Sequence, residues 1–274
     1  MGQLANVRVT YGYNILLNIF FGPIVNTARG ISVQVQNAIQ QFSSNIQVSI
    51  RPQLMKNYAS GNYNRTEELV YAGPRYCFYM MYTLALPIAI TAPYLLQLWL
   101  GIVPDFAVIF TRFIVIIMCF DNLSFSLMMA MEAKGSIQNV SMLTCLLCLS
   151  SLIVIYVLFE NGAPPYALYI VFGTLVIVNL MARISIISRM LNYRIMTFYR
   201  KALLPVFAVF LSSSVLPLFI YILLGLNDFL SFMTIVMVSI FSVLCISFFL
   251  GLSKTERSFI IEKTRHLYQK VRHQ

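Results

Sequence analysis

Apolar residues run along this chain in stretches of the length that crosses a bilayer. Roughly 20 residues are needed to cover the hydrocarbon. That ruler gives about eight segments: Leu4 to Phe20, Gly30 to Ile50, Cys77 to Leu98, Phe106 to Met131, Ile137 to Phe159, Tyr166 to Ser188, Leu203 to Leu224 and Leu230 to Leu250. The second differs from the rest because it is half polar. At about 100° per residue, Ile31, Val35, Ala38, Ile39, Phe42, Ile46 and Ile50 gather on one side, and Gln34, Asn37, Gln40, Gln41, Ser43, Ser44, Asn45 and Gln47 on the other. Unpaired amides in hydrocarbon cost several kcal/mol each, so the pattern predicts a span that lines a polar cavity. Gln34, Asn37, Gln41 and Ser44 are expected to face water, and Val35, Ile39, Phe42 and Ile46 to face away. A helix lying at the interface, or a span joined to its neighbours through amide bonds, carries the same pattern.

Composition agrees with an all-α integral membrane protein. The chain of 274 residues is 59% hydrophobic and 10% charged, with mean hydropathy +0.79, outside the range of a soluble core of this size. Its charge is arranged by loop. Arg51, Lys56, Arg65 and Arg75, then Lys134, then Arg183 to Lys201, and finally Lys254 to Arg272 occupy alternate connections. The intervening ones, around Asp105, Glu160 and Asp228, hold acids and no Lys or Arg. Positive loops stay inside during insertion, which predicts both termini cytoplasmic. The net charge of +10 then reflects topology and the anionic inner leaflet, and no soluble basic domain is present to bind nucleic acid. Two units are expected, a polytopic membrane domain over 1–252 and a basic amphipathic tail over 253–274. Ser253 and Glu256 have capping-box spacing at its start, and Phe259, Ile260, Leu267 and Val271 lie on its apolar side.

Ionisable and polar groups inside spans are candidates for function. Arg8 and Asn14 fall in the first span and Arg112 and Asp121 in the fourth. Nine residues separate the last two, so they point to opposite sides of a helix and cannot pair within it. Arg112, Cys119, Asn122 and Ser126 share a face that is a candidate cavity wall. Asp121 is a candidate proton or cation site. Glu67 and Glu68 are read as opening a connecting helix, and Pro87, Pro93 and Pro217 as bending their spans. The fifth to eighth spans are read as lipid-facing scaffold. Cys145 and Cys148 have redox or zinc spacing but lie within an apolar run without a second ligand pair, and His266 and His273 have no companions at ligand spacing. No catalytic set, cofactor or metal is expected, and the chain is not read as an enzyme.

Several stretches carry a resemblance. NILLNIFFGPIVNTARG from Asn14 to Gly30, QVQN from Gln34 to Asn37 and PQLMKNYASG from Pro52 to Gly61 are similar to the second half of bacterial polysaccharide flippases. These are the Wzx-type O-antigen and capsule exporters of the MATE-related superfamily. Leu98-Trp99-Leu100-Gly101, Arg112, Ala133-Lys134-Gly135 and Leu252 to Arg257 continue the likeness, which covers essentially the whole chain. The resemblance implies one helical lobe with extra helices, a C-terminal half, truncated or half-length. It implies export of a polyprenyl-pyrophosphate-linked oligosaccharide across the bacterial inner membrane, with membrane lipids and polysaccharide-assembly proteins or a missing N-terminal half as partners. Arginines Arg8, Arg29 and Arg112 are then expected to meet the pyrophosphate, and Gln34, Asn37, Gln41, Ser44 and Asn122 the sugars. A MATE-type cation-coupled antiporter would want acids in the cavity. A membrane-embedded polymerase or acyltransferase would want paired carboxylates or a histidine near the surface.

Overall fold

The computed structural model describes residues 2–135, 138–191, 195–226, 228–253, 256–258 and 262, and for residues 2–8, 46, 138, 139, 190 and 191 the backbone alone. Among them every regular element is helical, and seven helices are long and apolar enough to cross a membrane. This is an all-α, multi-pass membrane protein.

The first of the seven supplies two crossings. Helix α1 (Gly2–Ala59) carries one non-helical residue, Gly22, at φ 80°, ψ −179°, a left-handed φ that favours glycine, with Pro23 next to restart the helix. Arg29 donates to the Asn14 side chain, and its guanidinium lies 5.7 Å from the Tyr13 ring centre. On a straight helix residues 15 apart are separated by about 22 Å, far beyond the reach of an arginine. The chain therefore reverses at Gly22, and arm α1a (residues 2–21) runs back along arm α1b (residues 23–59). The first two expected spans are thus one hairpin, and residues 24–29, expected between them, belong to the second arm.

Six further crossings follow. They are α2 (Tyr63–Leu100); α3 (Ala107–Asp121), which passes through a 3-10 turn at Asn122–Ser124 into α4 (Phe125–Ala133); α5 (Gln138–Glu160); α6 (Ala167–Leu191); α7 (Ile195–Phe198), joined by a π-turn at Tyr199–Leu203 to α8 (Leu204–Leu224); and α9 (Phe229–Ile246), which ends in a π-turn at Ser247–Gly251. The connecting helix expected at Glu67 and Glu68 is the start of α2 itself, with the Asn62 side chain accepting from Arg65 N–H. Eight crossings place the connections holding Asp105, Glu160 and Asp228 on one face. Lys56, Lys134 and Arg200 fall at the other. The α3–α4 crossing is the most enclosed, with 67% of its best membrane window buried against 17–39% elsewhere. It packs on α1 and α2, while α8 and α9 pack on each other and on α2.

Prolines shape how these helices grip one another. A proline inside a helix has no N–H to give to the carbonyl four residues back, and hydrocarbon offers that carbonyl nothing. Pro74 frees Val70 O, which accepts from Ser126 of α4 at 3.3 Å. Pro93 frees Ala89 O, which accepts from Arg112 Nε of α3 at 3.0 Å. Pro217 frees Ser213 O, which accepts from Ser242 of α9 at 2.9 Å. Between these bonds lies an aromatic core in which Phe78 packs 5.3 Å from Tyr82 and 5.5 Å from Phe120, and Phe120 5.4 Å from Phe210.

The last span is fastened at the basic end. Arg75 Nη1 and the Tyr79 hydroxyl both donate to Gly251 O at 3.2 Å, and Arg75 Nη2 meets Glu256 at 2.6 Å. A Cβ at Gly251 would lie 2.6 Å from the Tyr79 ring, so the approach needs glycine. The capping box is formed: Glu256 Oε2 accepts from Ser253 N–H at 2.7 Å, and Ser253 Oγ accepts from Glu256 N–H at 3.3 Å. Apart from Arg257, Ser258 and Glu262, the rest of the expected tail, including Phe259, Ile260, His266, Leu267, Val271 and His273, lies outside the described residues.

Two predictions follow from these contacts. Replacing Arg112 by Met costs about 1–3 kcal/mol because Ala89 O loses its donor, and Pro93→Ala, which restores a backbone N–H, reduces that cost. The check is a double-mutant cycle of unfolding in detergent, and strictly additive effects would refute the pairing. The second concerns Glu256. Burial disfavours its carboxylate, but the Ser253 N–H, the Tyr76 hydroxyl and the Arg75 guanidinium outweigh burial and hold it below the ordinary glutamate value of 4.5. A depressed folded pKa gives stability that is present above the unfolded value and is lost as pH falls through the folded one. Glu256→Gln should therefore lower the melting temperature by about 2–4 °C at neutral pH. The gap to wild type should narrow as pH falls through the carboxylate range and close once Glu256 is protonated in the folded protein as well.

Candidate functional site

The α1 hairpin, the α3–α4 crossing, α5 and α6 surround a cavity of about 660 Å³. Pass α1b supplies Gln36, Gln40 and Gln47; α3 and the 3-10 turn supply Asp121 and Asn122; α5 gives Ser141, Thr144 and Cys148; and α6 gives Asn179 and Arg183. Toward the acidic-loop end a smaller cavity of about 200 Å³ holds Arg29 and Asn37, and shares Thr10, Tyr13, Gln36 and Phe172 with the first as a common wall. The space far exceeds the roughly 30 Å³ that one water occupies in the liquid, and its walls offer the polar partners water needs.

Most of the lining is held by its own hydrogen bonds. Asn122 Oδ1 accepts from Ser43 at 2.5 Å and from Gln47 at 2.8 Å, while its amide donates to Met118 O at 2.7 Å. This knot ties α1b to the point where α3 gives way to the 3-10 turn. Such a change of helix type inside a span commonly marks a hinge or a functional site. Thr144 donates to Asn179 at 3.1 Å. At the other end Tyr13 and Ser151 hydroxyls lie 2.6 Å apart, and Ser32 and Tyr169 hydroxyls 2.7 Å. Two buried atoms remain without a hydrogen-bond partner among the described residues and border the cavity: the Gln40 acceptor Oε1 and the Arg183 donor Nε.

Asp121 and Arg183 face each other in this space. Each is the other's strongest charge neighbour. Neither belongs to the salt bridges among the described residues, which join Arg51 to Glu132, Arg65 to Glu68 and Arg75 to Glu256. Both line the same cavity, so the two opposite charges interact without an ion-pair contact within 4 Å. Water, a proton or a small ion admitted there would shift the balance between them, because charge interactions are strong where the dielectric is low.

The expected site residues divide into three groups. Asn122 and Asp121 line the larger cavity, and Arg29 and Asn37 the smaller. Gln34 and Gln41 are exposed on the outward side of α1b, and Ser44 donates to its own helix at Gln40 O and Gln41 O. Arg112 is engaged by Ala89 O and borders neither cavity. Its expected wall-mates also separate, since Ser126 turns to α2 and Asn122 to the cavity. The Arg8 side chain lies outside the described residues, as does that of Ile46.

The polar side of α1b is split between two environments. Its enclosed side is Gln36, Gln40, Ser43 and Gln47, its open side Gln34, Asn37, Gln41 and Asn45, and Phe42 is 59% exposed on the outside of the bundle rather than packed in the core. Of the apolar face expected over this stretch, Ile31 and Ile39 enter the packed core and Val35 packs against it. Arg183, counted with the basic loop, lies in α6 and turns inward. The fifth and sixth spans, expected to be scaffold, form one wall. The one signal for this in the sequence was Asn179, four residues before Arg183 and so on the same side of a helix.

Comparison with protein-family models, with curated proteins and with solved structures finds no match. What the fold and the cavity define is a class, a multi-pass helical membrane protein with a partly open cavity of mixed apolar and polar lining that holds Asp121 and Arg183.

The opposed charges generate a prediction. Asp121→Asn or Arg183→Met, made singly, leaves the other charge uncompensated and costs about 1–3 kcal/mol in a partly wet site, below the 3–5 kcal/mol of a dry one. The double variant should cost less than the sum. Unfolding in detergent measures this, and full additivity would show that the two charges do not interact.

Proposed function

We propose that this chain carries lipid-linked oligosaccharide across the bacterial cytoplasmic membrane, for O-antigen, capsule or exopolysaccharide assembly, with both ends in the cytoplasm. The observation that carries the proposal is that the polar half of α1b runs from the cavity onto an open stripe, while the exposed side chains of α5, α6, α8 and α9 are mostly apolar. A chamber of about 660 Å³ lies in the size range of small-molecule sites, roughly 300–1,000 Å³. It is too small for an oligosaccharide with its pyrophosphate. The sugars are therefore assigned to the open stripe of Gln34, Asn37 and Gln41, with the polyprenyl tail left in lipid. Arg29 meets the phosphates from the smaller cavity it shares with Asn37, because an anion leaving water needs a compensating charge. The enclosed chamber, with Asp121 and Arg183, serves coupling. The likeness of NILLNIFFGPIVNTARG and PQLMKNYASG to polysaccharide flippases supplies the substrate class.

A second reading, ion-coupled antiport of a small solute, draws on the chamber itself, since its volume and its single acid facing an arginine suit a small charged species. Asp121 is the one carboxylate lining the chamber, and acid–base catalysis would want a partner for it.

The test is export in cells whose own flippase is deleted. Arg29→Gln and the pair Asn37→Leu, Gln41→Leu should each reduce surface polysaccharide about tenfold or more at matched protein level, since each removes an interaction of about 1.4 kcal/mol or more with the moving substrate. Arg29→Lys should recover part of the loss if charge alone is needed. Normal export by both variants would withdraw the proposal. Uptake or efflux of a small solute that depends on Asp121 would favour the second reading.

A further inference from the structure

The open stripe of α1b is out of place against lipid. Gln34, Asn37, Gln41 and Asn45 recur at helical spacing, are exposed, and make no side-chain hydrogen bond among the described residues. On α5, α6, α8 and α9 the large exposed side chains are those lipid accepts, such as Ile153 and Val157, Ile177, Phe219 and Phe241. Away from the helix ends, the exposed polar ones are Ser and Thr that can bond back to their own helix, as Ser150, Thr174 and Ser185 do. Hydrocarbon gives an amide no partner, so this side of the bundle is covered by something polar.

Three features identify the cover. An amide carries both a donor and an acceptor, so a row of amides is complementary to a copy of itself across a two-fold axis. No charged residue stands between Gly30 and Val48, so two copies meet there without like-charge repulsion. Gly30 and Ala38 lie on the same exposed side, and a Cβ at Gly30 would meet nothing within 4 Å, which leaves room for a second backbone to approach.

We propose that two copies of this chain associate in the membrane through the outward face of α1b, with Gln34, Asn37, Gln41 and Asn45 of one copy against those of the other. A seam polar on both sides is also where the transport reading places its substrate, but the pairing stands on exposure and self-complementarity and does not depend on transport.

The test uses the purified full chain in liposomes. Two dye-labelled populations of the wild-type chain, mixed by liposome fusion, should show energy transfer that falls on dilution with lipid. In a background with the five native cysteines replaced, N37C and Q41C should give covalent dimers on mild oxidation, and I153C and F219C should not. Asn37→Leu with Gln41→Leu should weaken association about tenfold, on the scale of interhelical amide bonds. Absence of energy transfer by the wild-type chain overturns the proposal, and so does cross-linking at I153C equal to that at N37C. Labelling of N37C by a membrane-impermeant maleimide without any dimer would assign the face to water or to a different protein, and would equally overturn it. None of these measurements depends on polysaccharide export, so the pairing and the transport reading fail separately.

Discussion

A carbonyl released by proline inside a membrane helix has nowhere to turn but a neighbouring side chain, and this protein is built around that need. Val70, Ala89 and Ser213 are such carbonyls, and Ser126, Arg112 and Ser242 are the side chains that answer them. Each bond joins two crossings: α2 to α4, α2 to α3 and α8 to α9. Apolar packing alone would select these neighbours weakly, because lipid tails are as apolar as leucine. The proline carbonyls add direction and register. The aromatic cluster of Phe78, Tyr82, Phe120 and Phe210 then fills the space between helices already held in place.

With α2, α3, α8 and α9 fastened in this way, polarity is left to the other side of the bundle. The α1 hairpin, α5 and α6 enclose the chamber, and α1b divides it from the open stripe. A helix whose polar half faces both a cavity and an open stripe belongs neither in lipid nor in a dry core. Its small apolar strip of Ile31, Val35 and Ile39 anchors it, and the Ser43–Gln47–Asn122 knot fixes its level against the 3-10 turn. The knot joins the two compartments mechanically: a change in the turn after Asp121 passes to α1b through Asn122, one residue away.

The number and order of crossings were legible in the sequence because they depend on length and apolarity, which are local. So was the turn of the capping box, since Ser253 and Glu256 meet within one helical turn. Which way each polar residue faces was not legible, because the polar side of α1b spans about half the helix and periodicity reports a stripe without naming its neighbour. Arg112 looked free for a substrate as long as Pro93 was read only as a bend. The carbonyl four residues before it is the missing half of that inference, and it could have been drawn from the prolines of α2 and α8 alike. Arg183 was hidden by its position near the end of a span, where a buried arginine and a snorkelling one have the same sequence.

The two arginines illustrate how partners decide a charge's role more than its depth does. Arg112 sits among helices with a carbonyl at 3.0 Å and is committed to structure by that bond. Arg183 also lies within the bundle, but its Nε is unsatisfied and its counter-charge lines the same cavity without an ion-pair contact. Reorganising Arg112 would strand Ala89 O in a place water does not reach. Reorganising Arg183 breaks no hydrogen bond at its Nε, although it takes a counter-charge away from Asp121. In this bundle the cavity beside α1b holds a charge without a hydrogen bond at its Nε, and the proline-bent helices hold one that a carbonyl has fixed.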